Sequence, residues 1–158
     1  MSETYSHYSY TTEMGTITIE SDGTHITAVQ FGVCKLKGVH KTSALINECA
    51  NELYEYLSGK RKKFNVPIKF TGTEFQEKVW RALQEIPYGE TRSYAEIAQT
   101  LGSPNSSRAV GGANNKNPIM IIVPCHRVIA TSGATLGYSA GAKIKNKLLE
   151  IEQNSHYA

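Results

Sequence analysis

The stretch Ile119-Met120-Ile121-Ile122-Val123-Pro124-Cys125-His126-Arg127-Val128-Ile129 constrains this chain more than any other. Its β-branched and apolar residues read as a buried strand. Pro124 has no N–H to give to a ladder, so pairing is expected to end there. A cysteine, a histidine and an arginine follow where the backbone leaves the sheet. That place suits a nucleophile at the mouth of a pocket.

A thiol attacks well only as a thiolate, which needs positive charge, a helix N-terminus or a base nearby. On an extended chain His126 and Arg127 point opposite ways, so neither need touch the sulfur. His126 can still act through a water if a carboxylate from elsewhere orients it. A cysteine in isolation is more often a buried hydrophobe. The Pro-Cys-His-Arg cluster at a strand end lowers that expectation without settling it.

The 158 residues allow one or two small domains with a real core. No apolar run is long enough to span a bilayer, and Met1 to Tyr10 does not read as a signal peptide. Cys34, Cys49 and Cys125, odd in number and widely spaced, argue for free thiols in a reducing compartment. The net charge of +3 hides an asymmetry. No Asp or Glu occurs from Ile97 to Leu149, while Arg108, Lys116, Arg127, Lys143, Lys145 and Lys147 do. A one-sign region of this kind suits a polyanion, nucleic acid first. The bland alternative is a solvated basic face.

Tyr5 to Phe31 reads as two or three antiparallel strands, with turns at Met14-Gly15 and Ser21-Asp22-Gly23. Gly32 to His40 reads as a loop. Ser43 caps a helix to about Ser58, with Leu45, Ile46, Cys49, Leu53, Tyr56 and Leu57 on its apolar face. Lys60-Arg61-Lys62-Lys63 reads as a solvated connector with a weaker claim to phosphate contact. Domains are expected over residues 1–66 and 67–158. Thr73 and Gln76 form a capping box for a helix to Ile86, and Ser93 and Glu96 another for a helix through Leu101. After a Gly102-Ser103-Pro104-Asn105 turn, Asn105 or Ser106 can cap a third helix from Ser107. The last two helices resemble a helix-turn-helix. A final helix is expected over Lys143 to Glu152. Glu152 either reaches a histidine or is solvated near the chain end, the commoner fate of such a residue.

These residues resemble the O6-alkylguanine-DNA alkyltransferases. The resemblance covers Thr73 to Glu152. It rests on Pro87-Tyr88-Gly89-Glu90, Ser93-Tyr94, Arg108-Ala109-Val110-Gly111-Gly112-Ala113, Asn117-Pro118, Pro124-Cys125-His126-Arg127-Val128-Ile129, Gly137-Tyr138-Ser139 and Leu148-Leu149-Glu150-Ile151-Glu152. The first half matches only in layout. The fold implied is α+β: a small N-terminal antiparallel sheet with a helix, ribonuclease H-like in layout, then a mainly helical, winged-helix-like domain with a helix-turn-helix.

The resemblance also implies a mechanism. The third helix enters the minor groove of double-stranded DNA, where Ser107, Ala109 and Gly112 lie close to the duplex. Arg108 fills the gap left by the extruded guanine, and Tyr94 crowds the neighbouring phosphate. Cys125 attacks the alkyl carbon of O6-alkylguanine, or of O4-alkylthymine. His126 acts through a water as base, and Glu152 orients it. Tyr138 helps protonate the leaving guanine, Val128, Ser139, Met120 and Pro124 form the base pocket, and Asn117 is the hinge between the halves. The thioether product is not hydrolysed, so each monomer acts once, without a cofactor, in the cytoplasm beside the nucleoid or in a eukaryotic nucleus.

Ala140 stands where some relatives have glycine, which bears on bulky alkyl groups, and Met120 where some have proline. His7, His25, His40, Cys34 and Cys49 lack compact metal-ligand spacing, so no metal is expected. The competing readings are a cysteine hydrolase, a non-catalytic DNA-damage-binding or regulatory protein, and a plain winged-helix module.

Overall fold

The hairpin that starts the fold closes at Gly15, whose φ of +97° few side-chain-bearing residues would tolerate. It joins β1 (Ser6–Thr12) to β2 (Gly15–Ser21), with Tyr8 opposite Ile19 and Tyr10 opposite Ile17. The computed structural model describes residues 4–34, 36–130 and 140–154. β3 (Ile26–Phe31) pairs antiparallel with β2, and β4 (Val39–His40) pairs parallel with β1, giving the order β3-β2-β1-β4. The expected loop from Gly32 to His40 therefore ends in a short strand. It forms because the edge of β1 at Ser6 and His7 is open to it.

The chain divides into two compact units, Met1–Phe70 with Pro118–Met120, and Thr71–Asn117 with Ile121–Ala158. In the first, α1 (Ala44–Leu57) lies on the sheet, its first turn capped by the Ser43 side chain accepting from Ile46 N. Ile46, Cys49, Leu53 and Tyr56 are buried with Ile17, Ile19, Ile26 and Val29. Each such aliphatic side chain contributes roughly 1.5–3 kcal/mol relative to exposure. The outer edge of β3 is covered twice. Ile26 N donates to Pro67 O at 2.8 Å, and Val29 N donates to Pro118 O at 2.9 Å. Covered edges do not recruit foreign strands.

The second unit is mainly helical. α2 (Glu74–Gln84) carries the Thr73–Gln76 capping box, and the buried Trp80 donates Nε1–H to Ala113 O at 2.9 Å. The two-residue strand β5 (Arg92–Ser93) leads into α3 (Tyr94–Thr100), which has the Ser93–Glu96 box. α4 (Ser107–Asn115) follows a turn through Gly102, completing the helix-turn-helix. Ser106 occupies the N-cap of α4 but makes no capping bond with its side chain. β6 (Val128–Ile129) pairs parallel with β5, and α5 (Ala142–Asn154) ends the described chain.

The run Ile119–Val123 is not a strand. Ile119 makes one bridge to Val29, and the chain then turns. Ile121 sits at φ +72°, a left-handed conformation that costs a β-branched residue on the order of 1–3 kcal/mol. Burial of Ile121 and Val123 holds it there. The Asn117 amide donates to Val123 O at 2.8 Å, taking the carbonyl that a neighbouring strand would have used. Apolar patterning reported burial correctly and the backbone wrongly.

Candidate active site

Cys125 is delivered by two tight turns. Pro124, at φ −81° and ψ 65°, centres an inverse γ-turn closed by Cys125 N donating to Val123 O at 2.8 Å. A 3₁₀ turn, Cys125–Arg127, follows directly, with Arg127 N donating to Pro124 O. Pro124 needs no N–H in this arrangement, which suits its ring. The Asn114 amide of α4 donates to Cys125 O at 3.3 Å and ties the turn to the helix-turn-helix. Cys125 is 1% exposed.

Because the backbone is a 3₁₀ turn and not extended, His126 and Arg127 do not diverge. Both reach Glu152 of α5, which is fully buried. His126 Nε2 lies 2.7 Å from Glu152 Oε2. Arg127 donates Nε–H to Oε1 at 2.9 Å and Nη2–H to Oε2 at 3.0 Å, a bidentate grip. Gly89 N, in the turn after α2, donates to Oε1 at 3.1 Å. Gly89 holds φ +83°, which explains the glycine. Arg127 Nη1 also donates to Ile86 O at 2.7 Å, and its guanidinium stands 5.6 Å from the Tyr88 ring centroid. The Pro87-Tyr88-Gly89 stretch, one of the motifs that carry the family resemblance, thus joins the site.

The electrostatics follow from burial. Burial alone would raise the Glu152 carboxyl, but His126 and then Arg127 outweigh it and hold it down at about 2. Burial pushes the His126 imidazolium in the disfavoured direction, and the pull of Glu152 does not offset this, so the ring is neutral at pH 7. A carboxylate only accepts, so the ring proton belongs on Nε2 and the lone pair on Nδ1. That tautomer is the proton-accepting one.

Lys145 counts among the cations of the acid-free stretch that suits a polyanion, but it does not face outward. It is fully buried and donates Nζ–H to Val128 O at 2.5 Å. Burial lowers its pKa, while charge on Cys125 raises it. Arg127 is also buried, at 8% exposure. Arg108, Lys116, Lys143 and Lys147 remain as the exposed cations of that stretch.

On the helix-turn-helix, Arg108, Ala109 and Gly112 are exposed on α4, and Ser107 is half-buried. A methyl added at Gly112 would meet nothing within 4 Å, so the glycine serves no packing need inside the protein. Tyr94 opens α3, and a methyl at Gly111 would lie 3.8 Å from its ring. Burial raises the Tyr94 hydroxyl, and charge on Cys125 adds to the shift. Asn117 is buried by its bond to Val123 O, and Val128 and Pro124 are buried beside Cys125 in the chain. Met120 groups with the first unit, where it is buried and donates its N–H to Val29 O. Tyr138 and Ser139 lie outside the described residues. Among the described residues no three His, Cys, Asp or Glu side chains gather where they could hold a metal ion.

Fold and site define a two-part protein: a ribonuclease-like unit, and a helix-turn-helix unit with a buried Cys-His-Glu constellation. Residues 5–70 match the ribonuclease-like domain of 6-O-methylguanine DNA methyltransferases, and residues 74–154 match their DNA-binding domain. A methylated-DNA–protein-cysteine methyltransferase of Methanosarcina acetivorans is 56% identical over 105 residues, 66% of this chain and 67% of its own. The constitutive enzyme of that name from Bacillus subtilis is 52% identical over 119 residues, 74% and 72% of the two chains. The crystal structure of Mycobacterium tuberculosis OGT in complex with DNA superposes with a TM-score of 0.89 at 39% identity, covering 95% of this chain and 94% of that one. The chain belongs to the O6-alkylguanine-DNA alkyltransferase family, the methylated-DNA–protein-cysteine methyltransferases.

Sequence reasoning did not single out Asn114, and it gave no partner in the site to Gly89, Arg127 or Lys145.

Proposed function

We propose that this protein repairs alkylated DNA directly, moving the alkyl group of O6-alkylguanine, or of O4-alkylthymine, onto its own Cys125. The observation that carries this reading is the buried Cys125-His126-Arg127 turn locked to Glu152. The thiol proton passes through a water to His126 Nδ1, while Nε2–H stays bonded to Glu152. The sulfur attacks the alkyl carbon, the carbon–oxygen bond breaks as the carbon–sulfur bond forms, and guanine leaves with a proton from Tyr138. Glu152 and Arg127 are positioning residues here, because neither reaches the reacting atoms. The catalytic half comprises residues 67–158.

The substrate is duplex DNA, entered from the minor groove by α4 of a monomer. Ser107, Ala109 and Gly112 lie against the backbone, Arg108 takes the place of the extruded base, and Tyr94 crowds the adjacent phosphate. Val128, Ser139 and Pro124 surround the base, and Asn117 supports the turn that presents the sulfur. Water does not cleave a thioether, so one chain repairs one lesion. The cytoplasm beside the nucleoid, or a nucleus, is where the substrate lies. Intact-mass and peptide analysis after incubation with O6-methylguanine duplex tests this. The expected result is one methyl, on the Cys125 peptide. DNA binding without an adduct would overturn the transfer.

A further inference from the structure

The basic run Lys60-Arg61-Lys62-Lys63 leaves α1 and has no part in the chemistry above. Its lysines are exposed, as expected of a solvated connector, but contacts to α1 also order its backbone. Two glutamates of α1 hold it in place. Glu52 is 4% exposed, and its Oε1 accepts from Asn65 N at 2.9 Å and Val66 N at 3.3 Å. Arg61 donates Nε–H to Glu55 Oε1 at 2.8 Å and Nη1–H to Lys63 O at 2.8 Å. Lys60 N donates to Glu55 O at 2.8 Å, and the Phe64 ring packs on Tyr56 with centroids 5.5 Å apart. Arg61 is thereby spent on folding the segment, while Lys60, Lys62 and Lys63 are exposed around it. These four cations, with Glu55 and Asn65, line a cleft of about 350 Å³.

Burying a carboxylate to order a connector carries a desolvation cost that a mere tether would not need. Its effect is to fix the backbone from which the lysines project, which lowers the entropy lost when a polyanion docks. We infer that Lys60, Lys62 and Lys63 form a second DNA-contacting surface, in the first unit, that grips the sugar–phosphate backbone without reading bases. This rests on the reading that the chain acts on DNA. Ammonium groups bind phosphate as point charges and carry no base information. Such a surface would hold the protein on undamaged duplex, whatever its sequence, between lesions.

The test measures the affinity of the full chain for undamaged duplex across about 50–200 mM salt. It compares the unaltered protein with the triple variant Lys60→Gln/Lys62→Gln/Lys63→Gln and with Arg108→Ala. Each lost phosphate contact flattens the slope of log K against log salt by about 0.9, so the triple variant should be shallower by roughly 2–3. Its reaction with free O6-methylguanine should be unchanged. If the triple variant proves unstable, Lys62→Gln/Lys63→Gln should still flatten the slope by about 2. An unchanged slope beside a weakened Arg108→Ala would overturn the second surface and leave the DNA reading standing. Failure of the unaltered chain to bind duplex would overturn both. Loss of binding to phosphatidylserine vesicles, with the DNA slope intact, would make the surface a membrane contact and refute the inference.

Discussion

Buried glutamates occur in both units and do different things. In the first unit, Glu20 accepts from the Thr27 hydroxyl at 2.6 Å and Lys37 N at 2.9 Å, and Glu52 accepts from Asn65 N and Val66 N. Those partners are mostly backbone, and the carboxylates fasten loops. In the second unit, Glu152 joins two ionisable side chains, His126 and Arg127, beside the only cysteine in that unit. The same residue at similar burial clasps backbone in one place and pairs two ionisable side chains in the other. Partner type, not burial, separates the two roles.

Glu152→Gln should have the largest effect. It leaves Arg127 buried without its counter-charge, at a cost of about 3–5 kcal/mol in a urea melt. Alkyl transfer in a single turnover should slow by roughly 10²–10⁴, because a neutral amide can turn its NH2 toward His126, set the other tautomer and no longer balance the imidazolium charge. A normal rate in a folded variant would place Glu152 with the clasps.

Acid should act next. The Glu152 carboxyl is depressed in the folded state, so its stabilisation is complete above the ordinary value of 4.5 and is lost as pH falls toward about 2. His126 is depressed too, so its neutral burial begins to oppose folding below the ordinary 6.5. Stability should therefore decline below about pH 6.5 and fall more steeply below 4.5. Glu152→Gln should remove the lower part of that profile. An unaltered lower limb would assign it to other carboxylates.

Glu52→Gln keeps an acceptor for Asn65 N and Val66 N, so it should cost only about 1–2 kcal/mol and leave the rate with free O6-methylguanine unchanged. A slower free-base rate would break the distinction between the two glutamates. The smallest stability change belongs to Gly112→Leu. It fills open space on a helix and should not lower the melting temperature, yet it should weaken duplex binding. Unchanged DNA affinity would remove α4 from the interface. Arg108→Ala should likewise slow repair in duplex more than reaction with the free base.

What could be read from the sequence was local. The Thr73–Gln76 and Ser93–Glu96 boxes announce their helices because each bond spans three residues. The hairpin at Gly15 and the apolar face of α1 are local in the same sense. Cys125 and His126 were legible as a cluster. Glu152 was legible only through the family resemblance, since its partners stand 26 and 63 residues away, at His126 and Gly89. Residues Ile119–Val123 misled, because Asn117 and the γ-turn at Pro124 override β propensity. Lys145 misled because composition counts a charge without saying whether it is buried.

The most direct check on alkyl transfer to Cys125 is a titration of radiolabelled methyl from O6-methylguanine duplex against a fixed amount of protein. Label in the protein should rise to one methyl per chain, all of it on Cys125, and stop there with lesions still in excess. Continued loss of lesions beyond one equivalent, or label on any other residue, would contradict the account.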